Sequence, residues 1–368
     1  MKKAFSFTKE HTEIIKGVAI ILMLFHHLFG FPEWYTQGVS YIGIPLRANT
    51  AEYIIGQFGH ICVSLFAFIT GYGMFFSYKS GSIIKKSFKK GVSFLICYWL
   101  ILFGVAIPVN LALGKTDITL SLIVKNMFTY DHTLVSFAWY VRFYLAMLVT
   151  LPVFYRMLTK YAAITIPVFL LLPALANYLL GTVSSSNYFI GKAVYYGMEY
   201  FLWITCALMG LCFARYGLFE KMGKLFSYLG KAELVVCAAL MLVLIYLRAY
   251  KSDTIGIIFS FDSIYAPVFI FLTVKLIKVV PEIFRKFLKL MGKHSMNIWF
   301  LHSLFFFRTS ELMKYAYAPR VSVLIVAWVI VICLVLSYGL TAISDLIFIR
   351  KAETKAESAA AEKEKAVV

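Results

Sequence analysis

Ten ionisable side chains lie within segments that otherwise consist of apolar residues. They are Lys16, His26, His27, His60, Arg142, Glu199, Asp262, His302, Arg308 and Asp345. Near the centre of a bilayer a charged side chain costs roughly 2.5–3.5 kcal/mol on insertion scales, so each residue indicates a functional site. For each, a structural role at a helix end or in a buried pair is the alternative interpretation. A lone neutral histidine is cheap to bury, but four histidines in three apolar segments indicate more than packing.

The first apolar segment, IIKGVAIILMLFHHLFG, carries a cation near one end and two imidazoles near the other. His26 follows Lys16 by ten residues, which is about 15 Å along a helix axis. At about 100° per residue, His27 shares the face of Lys16, whereas His26 is rotated from it by about 80°. A basic group at one mouth and an imidazole deep inside suit an anionic cosubstrate whose reactive end meets a base.

Membrane helices are the elements that must position these residues. The chain has 368 residues, of which 61% are hydrophobic and 15% charged, whereas soluble domains are about 45–50% apolar and about 25% charged. Apolar runs of about 18 or more residues indicate transmembrane helices. The sequence therefore predicts an all-α polytopic bundle of about ten transmembrane helices. The predicted spans are 14–30, 54–78, 91–111, 138–155, 162–180, 194–214, 234–250, 254–274, 294–313 and 321–347.

An excess of basic residues predicts the orientation of these spans. The chain has 36 Lys+Arg against 18 Asp+Glu, a net charge of +18, which in a soluble protein would suggest nucleic acid. With the amino terminus in the cytoplasm, 25 of the 36 basic residues fall in cytoplasmic segments and 7 in external ones. This is the asymmetry of the positive-inside rule. We therefore predict that both termini are cytoplasmic, that the lipid bilayer is a partner, and that nucleic acid is not.

The cysteines and serines do not suggest a metal centre or a serine hydrolase. All six cysteines lie inside apolar runs, and none forms a metal-ligand spacing with histidine. We predict buried thiols, no disulfide and no metal. The run Ser184 to Ser186 lies in a loop without the context of a nucleophile.

Five segments, in order along the chain, resemble the acyltransferase-3 family of integral membrane O-acyltransferases. The segment from Lys16 to His26 is similar to the family's motif of an arginine followed about ten residues later by a histidine, with lysine in place of arginine. The other four are GHICVSLFAFITGYGMFFSY, with Thr70 in place of a serine, KKSFKKGVSFLICYW, WYVRFYLAMLVTLP and MGKHSMNIWFLHSLF. The resemblance implies a ten-helix transmembrane domain over 1–350. The polar, low-complexity composition of 351–368 predicts a cytoplasmic tail that is a frayed helix or disordered.

The resemblance also implies a reaction and a set of roles. The reaction is transfer of an acyl group, usually acetyl from cytoplasmic acetyl-CoA, to a hydroxyl of a cell-envelope or exported carbohydrate at the plasma membrane. His26 acts as base or transient acyl carrier, and His302 as a second catalytic group. The implied cofactor-binding residues are Lys16, Lys86, Lys89, Arg142 and Tyr144. Further candidates are His27, His60 and Glu199, the last with ion pairing to Arg142 as its alternative.

Two other function classes fit ten spans with buried charges. One is a transporter or flippase without acyl-transfer chemistry, and the other is a component of a polysaccharide-export complex. The sequence has no detectable internal repeat, a feature that many secondary transporters show. An acyltransferase needs the imidazole of His26, whereas a scaffold tolerates its loss.

Overall fold

The described chain is almost entirely helical. The structure is a computed structural model that describes residues 5–35, 39–46, 49–114, 117–183, 186–251, 261–305 and 311–365. The helices in these ranges are α1 Lys9–Phe29, α2 Ala51–Gly59, α3 Cys62–Lys79, α4 Ile83–Ile101, α5 Ile107–Leu113, α6 Leu120–Met127, α7 Trp139–Lys160, α8 Ala162–Gly181, α9 Tyr188–Tyr216, α10 Leu218–Ser227, α11 Glu233–Lys251, α12 Asp262–Leu276, α13 Glu282–Lys293, α14 Ser295–Leu301, α15 Glu311–Ala316 and α16 Ser322–Lys365. Strands β1, Pro45–Leu46, and β2, Asn49–Thr50, form a small antiparallel hairpin before α2.

Eight helical segments within the described ranges are long and apolar enough to cross a membrane. They coincide with eight of the ten predicted spans, and the all-α polytopic fold is confirmed. The other two predicted spans, 254–274 and 294–313, coincide with α12 and α14, which have 15 and 7 residues. Residues 252–260 and 306–310, including Arg308, lie outside the described residues, as do Ser184, Ser185 and the side chain of Asp345. The tail boundary at 351 and the orientation stay predictions.

Two of the predicted spans contain irregular turns. The span predicted at 54–78 is interrupted at His60 and Ile61, between the end of α2 and the start of α3. The span predicted at 91–111 begins earlier, at Ile83, and has a π-helical turn, Leu102–Ala106, between α4 and α5. Pro108 follows that turn and has no N–H for the helical ladder, so the wider turn accommodates it. The first break places an imidazole at a helix junction.

Helix α1 is surrounded by other helices and packs closely against α13. Gly17 meets the backbone of Leu288, and Gly292 meets the backbone of Glu13. A Cβ atom at either glycine would overlap a carbonyl group, and small residues allow such close approach of membrane helices. Further along α1, Met23 is fully buried. The two histidines at the end of α1 are therefore held inside the bundle.

A buried ion pair connects α11 to α12. Arg248 Nε lies 2.8 Å from Asp262 Oδ1, and Arg248 Nη2 lies 2.8 Å from Asp262 Oδ2. Arg248 Nη1 donates to the carbonyl oxygen of Phe58 at 2.9 Å, and Ser64 Oγ donates to Asp262 Oδ2 at 2.6 Å. Of the two interpretations of Asp262, the structure supports the structural pair.

Candidate active site

Four histidine side chains meet near the end of α1 that is remote from Lys16. The ring centroids of His26 lie 5.0 Å from those of both His27 and His60. The rings of His27 and His302 are 4.9 Å apart. The four residues, here called the histidine cluster, come from α1, from the break between α2 and α3, and from the end of α14. The fold thus brings together imidazoles from three separate segments.

The hydrogen bonding of His26 fixes its tautomer. His26 Nδ1 lies 2.8 Å from the carbonyl oxygen of Gly56, and the residue is 6% exposed. A carbonyl oxygen only accepts, so Nδ1 donates, and in the neutral ring the lone pair is on Nε2. A buried Nε2 lone pair is what a general base or a histidine nucleophile needs.

His27 and His302 form a hydrogen-bonded pair beside His26. His302 Nδ1 lies 3.1 Å from the carbonyl oxygen of Ile298, to which it donates. In the neutral ring His302 Nε2 then accepts a hydrogen bond from His27 Nδ1, at 3.1 Å. Among the described residues, no group of three or more His, Cys, Asp or Glu side chains is arranged to hold a metal ion. The cluster is thus a set of oriented imidazoles.

A cavity of about 200 Å³, here called the lysine cavity, lies between the Lys16 end of α1 and the histidine cluster. Its polar lining residues include Thr12, Lys16, Thr70, Lys90, Tyr144 and Ser295. Lys16 and Tyr144 were predicted to lie together, and they do. Lys86 and Lys89 are not among the lining residues. Lys86 Nζ instead donates to the carbonyl oxygen of Ser77, at 2.6 Å, and to Ser80 Oγ, at 2.5 Å.

Lys90 is a cavity residue that the sequence interpretation missed. The run KKSFKK contains four lysines within six residues, and the family motif selects two of them without fixing which face of α4 meets the cavity. The structure places Lys90 at the cavity together with Phe94, one turn later in α4. Residues four apart share a helix face. The spacing from Lys90 to Phe94, an aromatic residue that enters the bundle, was the available signal.

Three aromatic rings that line the lysine cavity pack against one another. Phe66, Tyr140 and Trp299 line the cavity, and we call them the aromatic layer. The ring of Trp299 lies 4.7 Å from that of Tyr140 and 5.5 Å from that of Phe66. Trp299 Nε1 donates to the carbonyl oxygen of Phe137, at 3.4 Å, and the Phe137 ring stacks on His302 at 4.9 Å. Phe137 thus connects Trp299 of the aromatic layer to His302 of the histidine cluster.

Arg142 lies outside the lysine cavity, contrary to the prediction that it lines the same cavity as Lys16. It is two residues from both Tyr140 and Tyr144, or about 200° round α7, so it points to the opposite face. Its Nη2 lies 3.5 Å from Glu199 Oε2 on α9, which confirms the ion pair that was the alternative interpretation of Glu199. Its Nη1 donates to the carbonyl oxygen of Thr129.

Buried polar atoms without hydrogen bonds are concentrated around Arg142. Eight such side-chain atoms occur among the described residues, and four of them are Arg142 Nε and Nη2, His132 Nδ1 and Tyr130 Oη. Burial, and then the Arg142 guanidinium, lower the pKa of His132 below its ordinary value. We call Tyr130, His132, Arg142 and Glu199 the arginine site. Tyr130 and His132 were not predicted, because they lie in a loop whose conformation depends on distant contacts.

The sequence matches a family model described as an acyltransferase domain, over residues 12–342. The matched range contains Lys16, the histidine cluster, the lysine cavity and the arginine site. No curated protein and no solved structure gives a significant match to the chain.

Proposed function

The chain belongs to the acyltransferase-3 family and is a multi-pass membrane acyltransferase, and from that premise we propose its donor, acceptor and location. The donor is cytoplasmic acyl-CoA, with acetyl as the acyl group. The acceptor is a hydroxyl of a cell-envelope or exported polysaccharide, and the location is the plasma membrane. One observation carries the proposal: helix α1 places Lys16 at a cavity and, ten residues further along, a buried histidine whose tautomer is fixed.

The lysine cavity fits the narrow part of an acyl-CoA. Its volume of about 200 Å³ is below the 300–1,000 Å³ typical of pockets that enclose whole drug-sized ligands. The acyl group and the pantetheine arm therefore enter the cavity, while the nucleotide stays at the mouth. Lys16 and Lys90 meet the phosphates there as point charges. Lys86 and Lys89 do not line the cavity, and their contact with the phosphates stays a prediction from the family motif.

His26 is proposed as the base of the transfer. The acceptor hydroxyl gives its proton to His26 Nε2 as its oxygen attacks the thioester carbonyl carbon. A new ester C–O bond forms, the C–S bond breaks, and the departing CoA sulfur takes the proton from His26. General base catalysis of this kind contributes about 10²–10⁴-fold. The His27–His302 pair supplies a polar wall beside this base, and the aromatic layer has to move for the acyl group to reach it.

Acetyl transfer by purified protein in lipid nanodiscs tests the proposal. Radiolabelled acetyl-CoA and envelope polysaccharide are supplied, and ester-bound label on the glycan is counted for the natural protein, His26→Ala and His294→Asn. His294 is a matched control because it is also a buried histidine, bound to Ser337 Oγ at 2.8 Å and not a lining residue of the lysine cavity. We expect at least a 100-fold loss in His26→Ala and near-normal transfer in His294→Asn. Unchanged label in a normally inserted His26→Ala protein would contradict the mechanism and favour a transporter.

A further inference from the structure

We propose that the arginine site binds the acceptor, and that it selects a neutral sugar ring through two adjacent hydroxyl groups. The inference rests on the proposed function, which requires a hydroxyl-bearing acceptor. It adds a binding site on the opposite face of α7 from the lysine cavity, and a chemical class for the sugar.

The guanidinium of Arg142 is held in place while one edge has no hydrogen bond. Its Nη1 donates to the Thr129 carbonyl oxygen, and its Cζ lies 3.9 Å from the centroid of the Tyr196 ring. Tyr196 Oη is itself fixed by donation to the carbonyl oxygen of Tyr130, at 3.0 Å. The remaining edge, Nε and Nη2, makes no hydrogen bond although both atoms are buried. These two N–H groups point in parallel and match two oxygen atoms side by side.

The position of Glu199 determines which ligand oxygens fit beside Nε and Nη2 of Arg142. Its Oε2 is 3.5 Å from Arg142 Nη2, an ion pair without a hydrogen bond. A hydroxyl group both accepts and donates, so one hydroxyl accepts from Arg142 and donates to Glu199. A carboxylate or phosphate also accepts from Arg142, but it carries no proton to donate to the Glu199 carboxylate, so that oxygen is left without a hydrogen bond. The pair therefore matches a vicinal diol and disfavours an acidic sugar.

Two further polar groups extend the site. Tyr130 Oη and His132 Nδ1 are buried without hydrogen-bond partners, in the loop that Arg142 anchors through Thr129. A phenol and an imidazole each serve as donor or acceptor, which suits the remaining hydroxyls of a sugar. Because His132 has a lowered pKa, its ring is neutral at physiological pH and adds no fixed charge.

The arginine site adjoins the histidine cluster along two elements. On α9, Trp203 follows Glu199 by one turn, about 6 Å, and its ring lies 5.2 Å from that of His60. In the loop before α7, the Phe137 ring lies 4.0 Å from that of His27. Two elements therefore connect the arginine site to the histidine cluster by a route that does not pass through the lysine cavity.

The test compares neutral and acidic acceptors in the full-length protein in nanodiscs. The probes are the methyl glycosides of glucose, galactose and mannose, each paired with its methyl uronoside, with labelled acetyl-CoA as donor. For the best hexose, we expect kcat/KM to exceed that of its uronoside at least tenfold. Glu199→Gln should raise the KM for the neutral acceptor about 10–100-fold, the range for a lost hydrogen bond to a charged group. It should also reduce the discrimination against the uronoside.

The donor side supplies the internal control. The KM for acetyl-CoA is measured alongside the acceptor KM in every variant, and the matched control Thr159→Ala, whose hydroxyl donates within α7 to the carbonyl oxygen of Tyr155 at 2.9 Å, should leave both KM values within twofold of the natural protein. Equal use of hexosides and uronosides, or an unchanged acceptor KM in Glu199→Gln, overturns the inference. If the natural protein transfers no acetyl group, the proposed function fails separately. Saturation-transfer NMR with the same glycosides still measures sugar binding in that case, and absence of binding, or equal binding by Glu199→Gln, overturns the inference.

Discussion

The bundle contains two arginine–carboxylate pairs that are built in different ways. Arg248 and Asp262 make two hydrogen bonds of 2.8 Å, and a third arginine nitrogen donates to a backbone carbonyl. Arg142 and Glu199 approach only to 3.5 Å and leave two arginine nitrogens without hydrogen bonds. We call the Arg248–Asp262 pair saturated, because its hydrogen bonds are made within the chain; such a pair has no group left for a ligand and serves to connect helices. We call the Arg142–Glu199 pair unsaturated, because it keeps hydrogen-bond donors and an acceptor that a ligand can use.

We expect the largest effect on the free energy of unfolding when one partner of the saturated pair is removed. Asp262→Ala should lower the free energy of unfolding by about 3–5 kcal/mol, because it leaves the Arg248 charge buried and uncompensated. Unfolding by sodium dodecyl sulfate, followed by circular dichroism, measures the change. Glu199→Ala is the matched control and should lose far less. Equal losses in the two variants would contradict the distinction between the pairs.

Removing both partners of the saturated pair should cost less than removing one. In Arg248→Met with Asp262→Leu no charge is left buried, and the remaining penalties are the unpaired carbonyl oxygen of Phe58 and the unpaired hydroxyl of Ser64, about 1–3 kcal/mol each, the second of which Asp262→Ala also incurs. The same unfolding assay gives this value, and a double-mutant cycle gives the coupling between the residues. A double variant less stable than Asp262→Ala would show that the hydrogen bonds of the ion pair contribute to stability beyond the mutual neutralisation of its two charges.

The lysines near the cavity also differ in whether their ammonium groups are bound by other residues of the chain. Lys86 has its ammonium group bound to Ser77 and Ser80, whereas Lys16 and Lys90 line the cavity. Lys90→Ala should raise the KM for acetyl-CoA about tenfold, which is about 1.4 kcal/mol, because it removes a cation that meets phosphate. Lys86→Ala should change this KM less than twofold. Steady-state kinetics with varied acetyl-CoA measures both KM values. A larger increase in Lys86→Ala than in Lys90→Ala would support Lys86 as the phosphate ligand, as the family motif predicts.

The smallest expected effect is on stability at the unsaturated pair. Arg142→Gln should lower the free energy of unfolding by about 1 kcal/mol, because one hydrogen bond, to the Thr129 carbonyl oxygen, is lost, while the 3.5 Å pair with Glu199 makes none. The detergent unfolding assay again applies. A loss as large as that in Asp262→Ala would mean that Arg142 mainly holds the fold together.

The sequence predicted where the helices lie better than it predicted which face of a helix points inward or where a helix is interrupted. The apolar runs and the spacing of Lys16 and His26 in one segment were sufficient for the fold and for an imidazole deep in the bundle. The break at His60 was not predictable from hydropathy, because both sides of it are apolar. Arg248 and Asp262 lie on two different helices, so their pairing is a tertiary contact. Lys90 was missed because a basic run alone does not determine which face of a helix points inward.

The aromatic layer of Phe66, Tyr140 and Trp299 also bears on the electrical resistance of the membrane. One elementary charge crossing 100 mV releases about 2.3 kcal/mol, and a continuous column of water from the lysine cavity to the imidazoles would let protons take that path. The rings, with centroids 4.7 and 5.5 Å apart along the layer, present mostly apolar surface, which is a poor hydrogen-bonding partner for such a column. An acyl group carries no charge and needs no water around it. The same layer can therefore yield to an acyl group and still hold back a proton.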